Sequence, residues 1–401
     1  MKATLIAAAT SLTLALPAAA ADPDPADWDA VVEAAQGQTV YWNAWGGSDV
    51  VNDYIAWVGE QAAEQRVTLE HVKLTDTAEA VSRVLAEKTA GRDDDGGIDL
   101  IWINGENFAA MKEQELLFGP WAEDLPNRDL TDPANDALSA DFTVLTEGLE
   151  SPWGAAQLVF YHDSARLPEP PRSMEALLDW LRDNPGRFAF PQPPDFLGST
   201  FLKQALIELT PTPDALAHPV TKADYETATG PLWDFMDDLT PLLWRQGRAY
   251  PQNAARLIQL MADNEIDIGF EFNPNAASNA IANGQLPDTV RSHLHEDGTL
   301  GNASFVAIPY NASAKAGAMV VANILLSPEA QARMADPDVW GLGTVLDLER
   351  LAPEDRARFD EIDFGPATLT PDELGTPLPE PHPSWMERLE EDWTSRYGVS
   401  Q

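Results

Sequence analysis

The residues best suited to chemistry stand in three turns. Residues 39–59, TVYWNAWGGSDVVNDYIAWVG, place Trp42, Asn43, Trp45 and Gly46 between an apolar, strand-like run and an amphipathic helix. Asn104, Gly105 and Glu106 follow the apolar run IDLIWI, and FAFPQPPDFLGSTF delivers Gly198, Ser199 and Thr200 to a helix start. Indole faces stack on planar or cationic groups, glycines let backbone approach a ligand, and helix N-termini offer free N–H groups to anions. This is chemistry for holding a small molecule. Each feature also has a structural reading: either tryptophan can anchor its turn in the core. Ser199 and Thr200 can simply cap their helix, using the same N–H groups that an anion would need.

Signals for bond-making chemistry are missing. The sequence contains no H-E-x-x-H, no G-x-S-x-G, no Walker sequence and no cysteine nucleophile. His293-x-His295 sits in HLHEDG, which reads as a polar loop, and GRDDDGG lacks the alternating aspartates and distal glutamate of a calcium loop. With 65 acidic residues, carboxylate pairs spaced for glycoside hydrolysis arise by chance and carry almost no information. A secreted glycan-active hydrolase is therefore the alternative reading, and the expectation is a protein with no catalytic residues, no cofactor and no resident metal.

Periodicity supplies the elements that position the turns. TVYW, a helix from Ser48 with Val51, Tyr54, Ile55 and Val58 on one stripe, the strand-like VTLEHVKL, a helix from Thr77 to Gly91, and IDLIWI form a βαβαβ pattern. Such alternation predicts an α/β fold with a parallel sheet covered by helices on both faces. The turns Trp42–Ser48 and Asn104–Asn107 then share the carboxyl edge of that sheet, where ligands bind in open α/β folds. A second such unit is expected downstream, from the strand WGAAQLVFY and a helix capped by Ser173. The prolines of FAFPQPP exclude a long central strand, IDIGFEF alternates as a half-buried strand, and SFVAIPY leads into a helix over 313–326, with Ser327-Pro328 opening another.

The opening MKATLIAAATSLTLALPAAA has one lysine, an apolar stretch too short to span a bilayer, and alanines suited to cleavage, so residues 1–21 read as a secretory signal peptide followed by an acidic linker over 22–37. The absence of cysteine excludes disulfides and a lipidated N-terminal cysteine, which points to a soluble periplasmic protein. A formal charge of −40 repels nucleic acid and anionic membrane surfaces, which are excluded as partners. The mature chain, about 380 residues, is long enough for two lobes.

The segments YWNAWGG, IDLIWINGENFAAMKEQELLFGPW, SPWGAAQLVFYH, NPGRFAFPQPPDFLGSTFLKQAL and SFVAIPYNASAKAGAMVVANILLSPEAQ resemble the extracellular solute-binding proteins of ABC importers, in the YnjB-type branch related to thiamine-, iron- and polyamine-binding proteins. The resemblance implies a two-lobed periplasmic binding protein fold of type II-like topology with an interlobe ligand cleft. Mapped here, lobe 1 would comprise 38–150 plus 275–335 and lobe 2 would comprise 153–270 plus 336–401, with crossings near SPWGAAQ and FEFNPN. It implies a monomer that closes on a small-molecule solute and delivers it to a permease in the inner membrane. Candidate contacts from the first lobe are Trp42, Asn43, Trp45, Gly46, Asn104, Gly105 and Glu106. Trp153, Asp195, Ser199, Thr200, Glu271, Phe272 and Asn273 join them from the crossing and second lobe, with Tyr310 after a later strand; Asn273 either orients solute or caps the loop before Pro274. The expected solute is a small organic cation, such as thiamine or a thiamine phosphate, with a neutral sugar or ferric iron as alternatives.

Overall fold

Val40, Trp42 and Ala44 alternate inward along TVYWNAW, and LIWI is largely buried, so the two runs pair as neighbouring parallel strands. The computed structural model describes residues 23–133 and 135–399, and the expected signal peptide, 1–21, lies outside them. The first lobe opens with α1 (Trp28–Ala35), β1 (Thr39–Trp45), α2 (Asp49–Glu64), β2 (Thr68–Leu74), α3 (Ala78–Thr89), β3 (Leu100–Ile103) and α4 (Glu106–Glu113), then the small hairpin of β4 (Ala140–Asp141) and β5 (Val144–Leu145). β6 (Glu150–Gln157) runs out of this lobe into β7 (Val159–Asp163), and the second lobe adds α5 (Met174–Asp183), α6 (Phe196–Leu209), α7 (Tyr225–Leu239), α8 (Ala254–Ala262), β8 (Ile268–Glu271), α9 (Ala276–Ala282) and β9 (Val290–His293). The chain returns through β10 (Gly301–Ala307), α10 (Lys315–Leu325), α11 (Pro328–Ala335) and α12 (Pro353–Asp360), then passes α13 (Pro371–Leu374) to α14 (Pro383–Tyr397).

The first sheet has the order β2-β1-β3-β10-β6, with β1, β2 and β3 parallel and β10 antiparallel to both neighbours. The carboxyl ends of β1, β2, β3 and β6 therefore share one edge with the amino end of β10. The second sheet, β8-β7-β9, is antiparallel throughout, which corrects the expectation of a second βαβ unit. Its central strand β7 continues the crossing strand, and Pro191, Pro193 and Pro194 keep FAFPQPP out of the sheet except for one bridge from Phe188 to Ile268. The loop still has a defined place: a Cβ at Gly198 would fall 2.3 Å from the Pro191 carbonyl oxygen, so α6 can pack on the loop backbone only with glycine there.

Two hydrophobic cores define the lobes. One joins Val31–Trp153 to Ala303–Phe359; the other joins Leu158–Leu300 to Ala367–Trp393. This differs from the expected boundaries, because Ala277, Leu286 and Val290 pack in the second core while Trp340, Leu342 and Val345 pack in the first. The crossings fall at Gln157–Leu158, at Leu300–Gly301, and between Phe359 and Ala367. Near the first two, the Gln157 N–H reaches the Phe272 carbonyl and the Leu158 N–H the Leu300 carbonyl. FEFNPN stays in the second lobe. The expected linker over 22–37 is corrected too: α1, capped by Asp27, buries Val31 and Ala35 against α10.

On the outer part of the second sheet, His162 of β7 and His293 of β9 place their Nδ1 atoms 3.0 Å apart, so one imidazole donates to the other. Arg172, Arg291 and Asp163 surround them, and His295, stacked on Phe160, pairs with Glu208 at 2.6 Å. Burial holds His162 down to about 4 and His293 well below the ordinary histidine value. The unfolded chain takes up protons below about pH 6.5 that the folded pair refuses, so this pair's contribution to stability falls on acidification. Buried Asp141 and Glu271, raised to about 8 and about 7, act in the opposite sense. Urea unfolding of wild type and His162→Gln should therefore differ in pH slope, the variant losing less stability between about pH 7 and about pH 5. Equal slopes would contradict a neutral, buried pair.

Candidate functional site

At the end of β1, the Gly46 N–H donates to the Leu74 carbonyl and the Gly46 carbonyl accepts from Asn52 Nδ2 at 3.2 Å, which fixes the turn. The Trp45 indole, 42% exposed, lies across Gly47, where a Cβ would stand 2.4 Å from the ring. That glycine makes room for an aromatic face at the sheet edge. Trp42 has the opposite parity and is fully buried, edge-on to Trp153 at 5.6 Å; Trp153 also meets Tyr54, Trp102 and Trp340. Strand alternation thus makes Trp42 and Trp153 core anchors, correcting their expected contact with solute. Asn43 is likewise buried within β1.

At the end of β3, Asn104 is half-buried, Gly105 adopts a φ of +60°, and its N–H donates to Asp141 Oδ2 at 2.7 Å. Glu106 opens α4 beside the second lobe: Lys203 of α6 and Glu390 of α14 both act on its carboxylate, and α4 touches α14 across the boundary. In the second lobe, Asp195 caps α6 by accepting from the Leu197 N–H at 3.0 Å. Ser199 donates its hydroxyl to Glu390, and Thr200 Oγ1 donates to the Phe196 carbonyl at 2.8 Å. The helix start is already occupied by a carboxylate, so neither the capping role expected for Ser199 and Thr200 nor an anion site there survives.

Phe272 is buried against Phe196, edge-on at 5.2 Å, and Phe196 itself is 44% exposed. The Asn273 N–H donates to the Glu271 carboxylate, its Oδ1 accepts from the Asn275 N–H, and its Nδ2 reaches the Trp340 carbonyl at 3.4 Å, so Asn273 holds the loop and touches the first lobe. Tyr310 is corrected by topology. It follows antiparallel β10, whose carboxyl end lies on the opposite sheet edge, and its hydroxyl donates to the Arg92 carbonyl at 2.9 Å.

Sequence reasoning missed several residues at the same boundary, including Asp76, Phe142, Phe196, Lys203, Glu380 and Glu390. Lysine within FLKQAL was the available signal, since a charged residue inside an apolar helix stretch needs a partner. Lys203 Nζ lies 2.7 Å from Glu380 Oε2, off the hydrogen-bonding direction, and 4.7 Å from the Phe142 ring centroid. A groove of about 500 Å³ opens beside Phe142, Gly301, Asn302 and Glu380.

The boundary is rich in carboxylates. Burial, followed by like charge from Asp195, raises Glu271 to about 7; burial also raises Asp195, Glu106 and Glu390, with Asp76 adding repulsion to the last two. Among the described residues no lysine or arginine stands within ion-pair distance of Glu271 or Asp195. The arrangement can hold positive charge beside aromatic surface. No group of three or more histidines, aspartates or glutamates among the described residues could hold a metal ion.

Residues 56–354 match the family model described as bacterial extracellular solute-binding protein, and the chain is 44% identical to protein YnjB of Escherichia coli K12 over 93% of its length and 94% of that protein's. This chain belongs to the bacterial extracellular solute-binding proteins. Two solved structures share the two-lobed periplasmic binding fold: AfuA of Actinobacillus pleuropneumoniae with fructose-6-phosphate bound (TM-score 0.61, 15% identity, 90% of this chain and 99% of that one), and the spermidine/putrescine-binding protein PotD of Streptococcus pneumoniae (TM-score 0.60, 16% identity, 90% and 98%). Solute-binding proteins take up a small molecule and pass it to an ABC permease; they are not enzymes, and the glycan-hydrolase alternative falls away. Among the described residues no helix of this solute-binding protein is long and apolar enough to cross a membrane.

The two tryptophans of the opening turn should separate in experiment. Trp42→Ala should cost about 3–5 kcal/mol of stability, as aromatic truncation in a core does. Trp45→Ala should leave the melting temperature near wild type and weaken binding of the copurified solute by about 1–3 kcal/mol. A stable Trp42→Ala variant with lost binding would reverse the assignment.

Proposed function

We propose that this protein is the periplasmic receptor of its importer, captures a small organic cation between its lobes, and delivers it to an inner-membrane permease. The signal-like N-terminal segment supports export. The strongly acidic chain disfavours nucleic acid, and the receptor is taken to act as a monomer. The observation that carries the cation reading is the pair Asp195 and Glu271, which accept backbone N–H groups but have no lysine or arginine beside them among the described residues. Burying carboxylates is costly unless a counter-charge arrives, and a bound ammonium or ring cation supplies it. Trp45 and Phe196, one exposed aromatic on each lobe, offer faces for stacking or cation–π attraction. Thiamine and polyamines both meet this description, and the spermidine/putrescine-binding neighbour belongs to the same chemical class.

Calorimetric titration with thiamine, thiamine phosphates, polyamines, choline-like amines, neutral sugars and iron tests the proposal. Glu271 sits near half-protonation at neutral pH, so a cation binding beside it expels a proton. Affinity should rise with pH through about 7, by up to about tenfold per unit below that point, and the heat should depend on the buffer's ionisation enthalpy. Binding confined to a neutral sugar or to iron, without proton release, would overturn the cation reading and leave the transport role standing.

A further inference from the structure

Lys203 projects from the middle of α6, among Phe201, Leu202, Ala205 and Leu206 of the second core, yet its side chain is 1% exposed and carries a charge. Its neighbours come from three separate parts of the molecule. Glu380, equally buried, approaches to 2.7 Å; it also accepts from Asn302 Nδ2 of β10 at 3.2 Å, and its segment is pinned to a crossing by the Leu378 N–H to the Thr299 carbonyl and the Gly301 N–H to the Leu378 carbonyl. Phe142, on the β4–β5 hairpin of the first lobe, places its ring 4.7 Å from Nζ. Phe196 of α6 lies 5.8 Å away.

Phe142 shows that this contact is built. Its φ of +52° puts a bulky aromatic residue in the left-handed region, where only glycine is at ease. Such a conformation persists only when its surroundings repay it. Here the ring edge fills the space that a Cβ on Gly105 would need, 3.0 Å away, while the ring face receives the ammonium. The ring thus stands between the cleft loop of one lobe and a cation of the other.

We propose that Lys203 is an interlobe latch: its ammonium, set against Glu380 of its own lobe, which accepts from Asn302 of β10, meets Phe142 of the first lobe and holds the lobes together before solute arrives. An anion-binding role fits less well. Glu106, Glu380 and Glu390 surround this one ammonium, so an anionic group would meet more negative charge than positive. Parting the lobes draws Phe142 away from Lys203 and takes with it part of what compensates a buried charge. The latch does not depend on which solute is carried.

Small-angle X-ray scattering of the solute-free protein decides the matter, with Lys203→Met and Phe142→Asn as the variants. Asparagine tolerates the left-handed backbone and removes only the ring. Both variants should show a larger radius of gyration than wild type, and the double variant should show no further increase, since both changes break one contact. If Lys203→Met fails to fold, Phe142→Asn decides alone. An unchanged radius in Phe142→Asn, or an increase in Lys203→Met alone, would overturn the latch.

Discussion

The interlobe boundary is organised by a charge imbalance. Asp76, Glu106, Asp195, Glu271, Glu380 and Glu390 gather there, and Lys203 is the buried cation that faces Glu106, Glu380 and Glu390, while the Lys73 side chain runs along Gly46 at the exposed rim. Desolvated like charges destabilise any arrangement that brings them together. Where these carboxylates approach across the boundary, a positive charge between them lowers the cost of contact. Lys203 supplies part of that charge within the chain, and a cationic solute would supply the rest at Asp195 and Glu271. Closure and selectivity thereby arise from the same electrostatic deficit.

The scaffold that holds these groups is rigid on each side. A tryptophan cluster around Trp153 ties β1, β3, β6, α2 and the loop at Trp340 into one body. In the second lobe Phe190, Phe201, Phe270 and Trp393 join α6 and α14 to the sheet. The chain passes between these bodies three times, at Gln157–Leu158, at Leu300–Gly301 and between Phe359 and Ala367. Three crossings confine relative motion to a bend about the boundary, which suits hinge closure around a solute.

Much of this was legible in the residues. The period of TVYWNAW and the apolar LIWI foretold the parallel strands, and with them the edge at which Trp45 and Glu106 stand. The same period carried the distinction between Trp42 and Trp45, since Val40, Trp42 and Ala44 share the inward face. Other features were hidden for physical reasons. Core membership of 276–300 and 336–362 depends on pairings between residues far apart in sequence. Phe142 contradicts its own backbone preference, and Glu380 sits in PLPEPH, whose composition reads as a connector. The run of β6 into β7 was legible in WGAAQLVFY, whereas the antiparallel pairing of β7 with β8 and β9 joins segments more than 100 residues apart along the chain, which no local pattern announces.

The most direct test is native mass spectrometry of protein purified gently from its own host, where a tight binder retains its solute. The account predicts a one-to-one complex whose released small molecule is an organic cation. A retained sugar, or an anion without a cationic group, would contradict the view that uncompensated carboxylates select what this cleft holds.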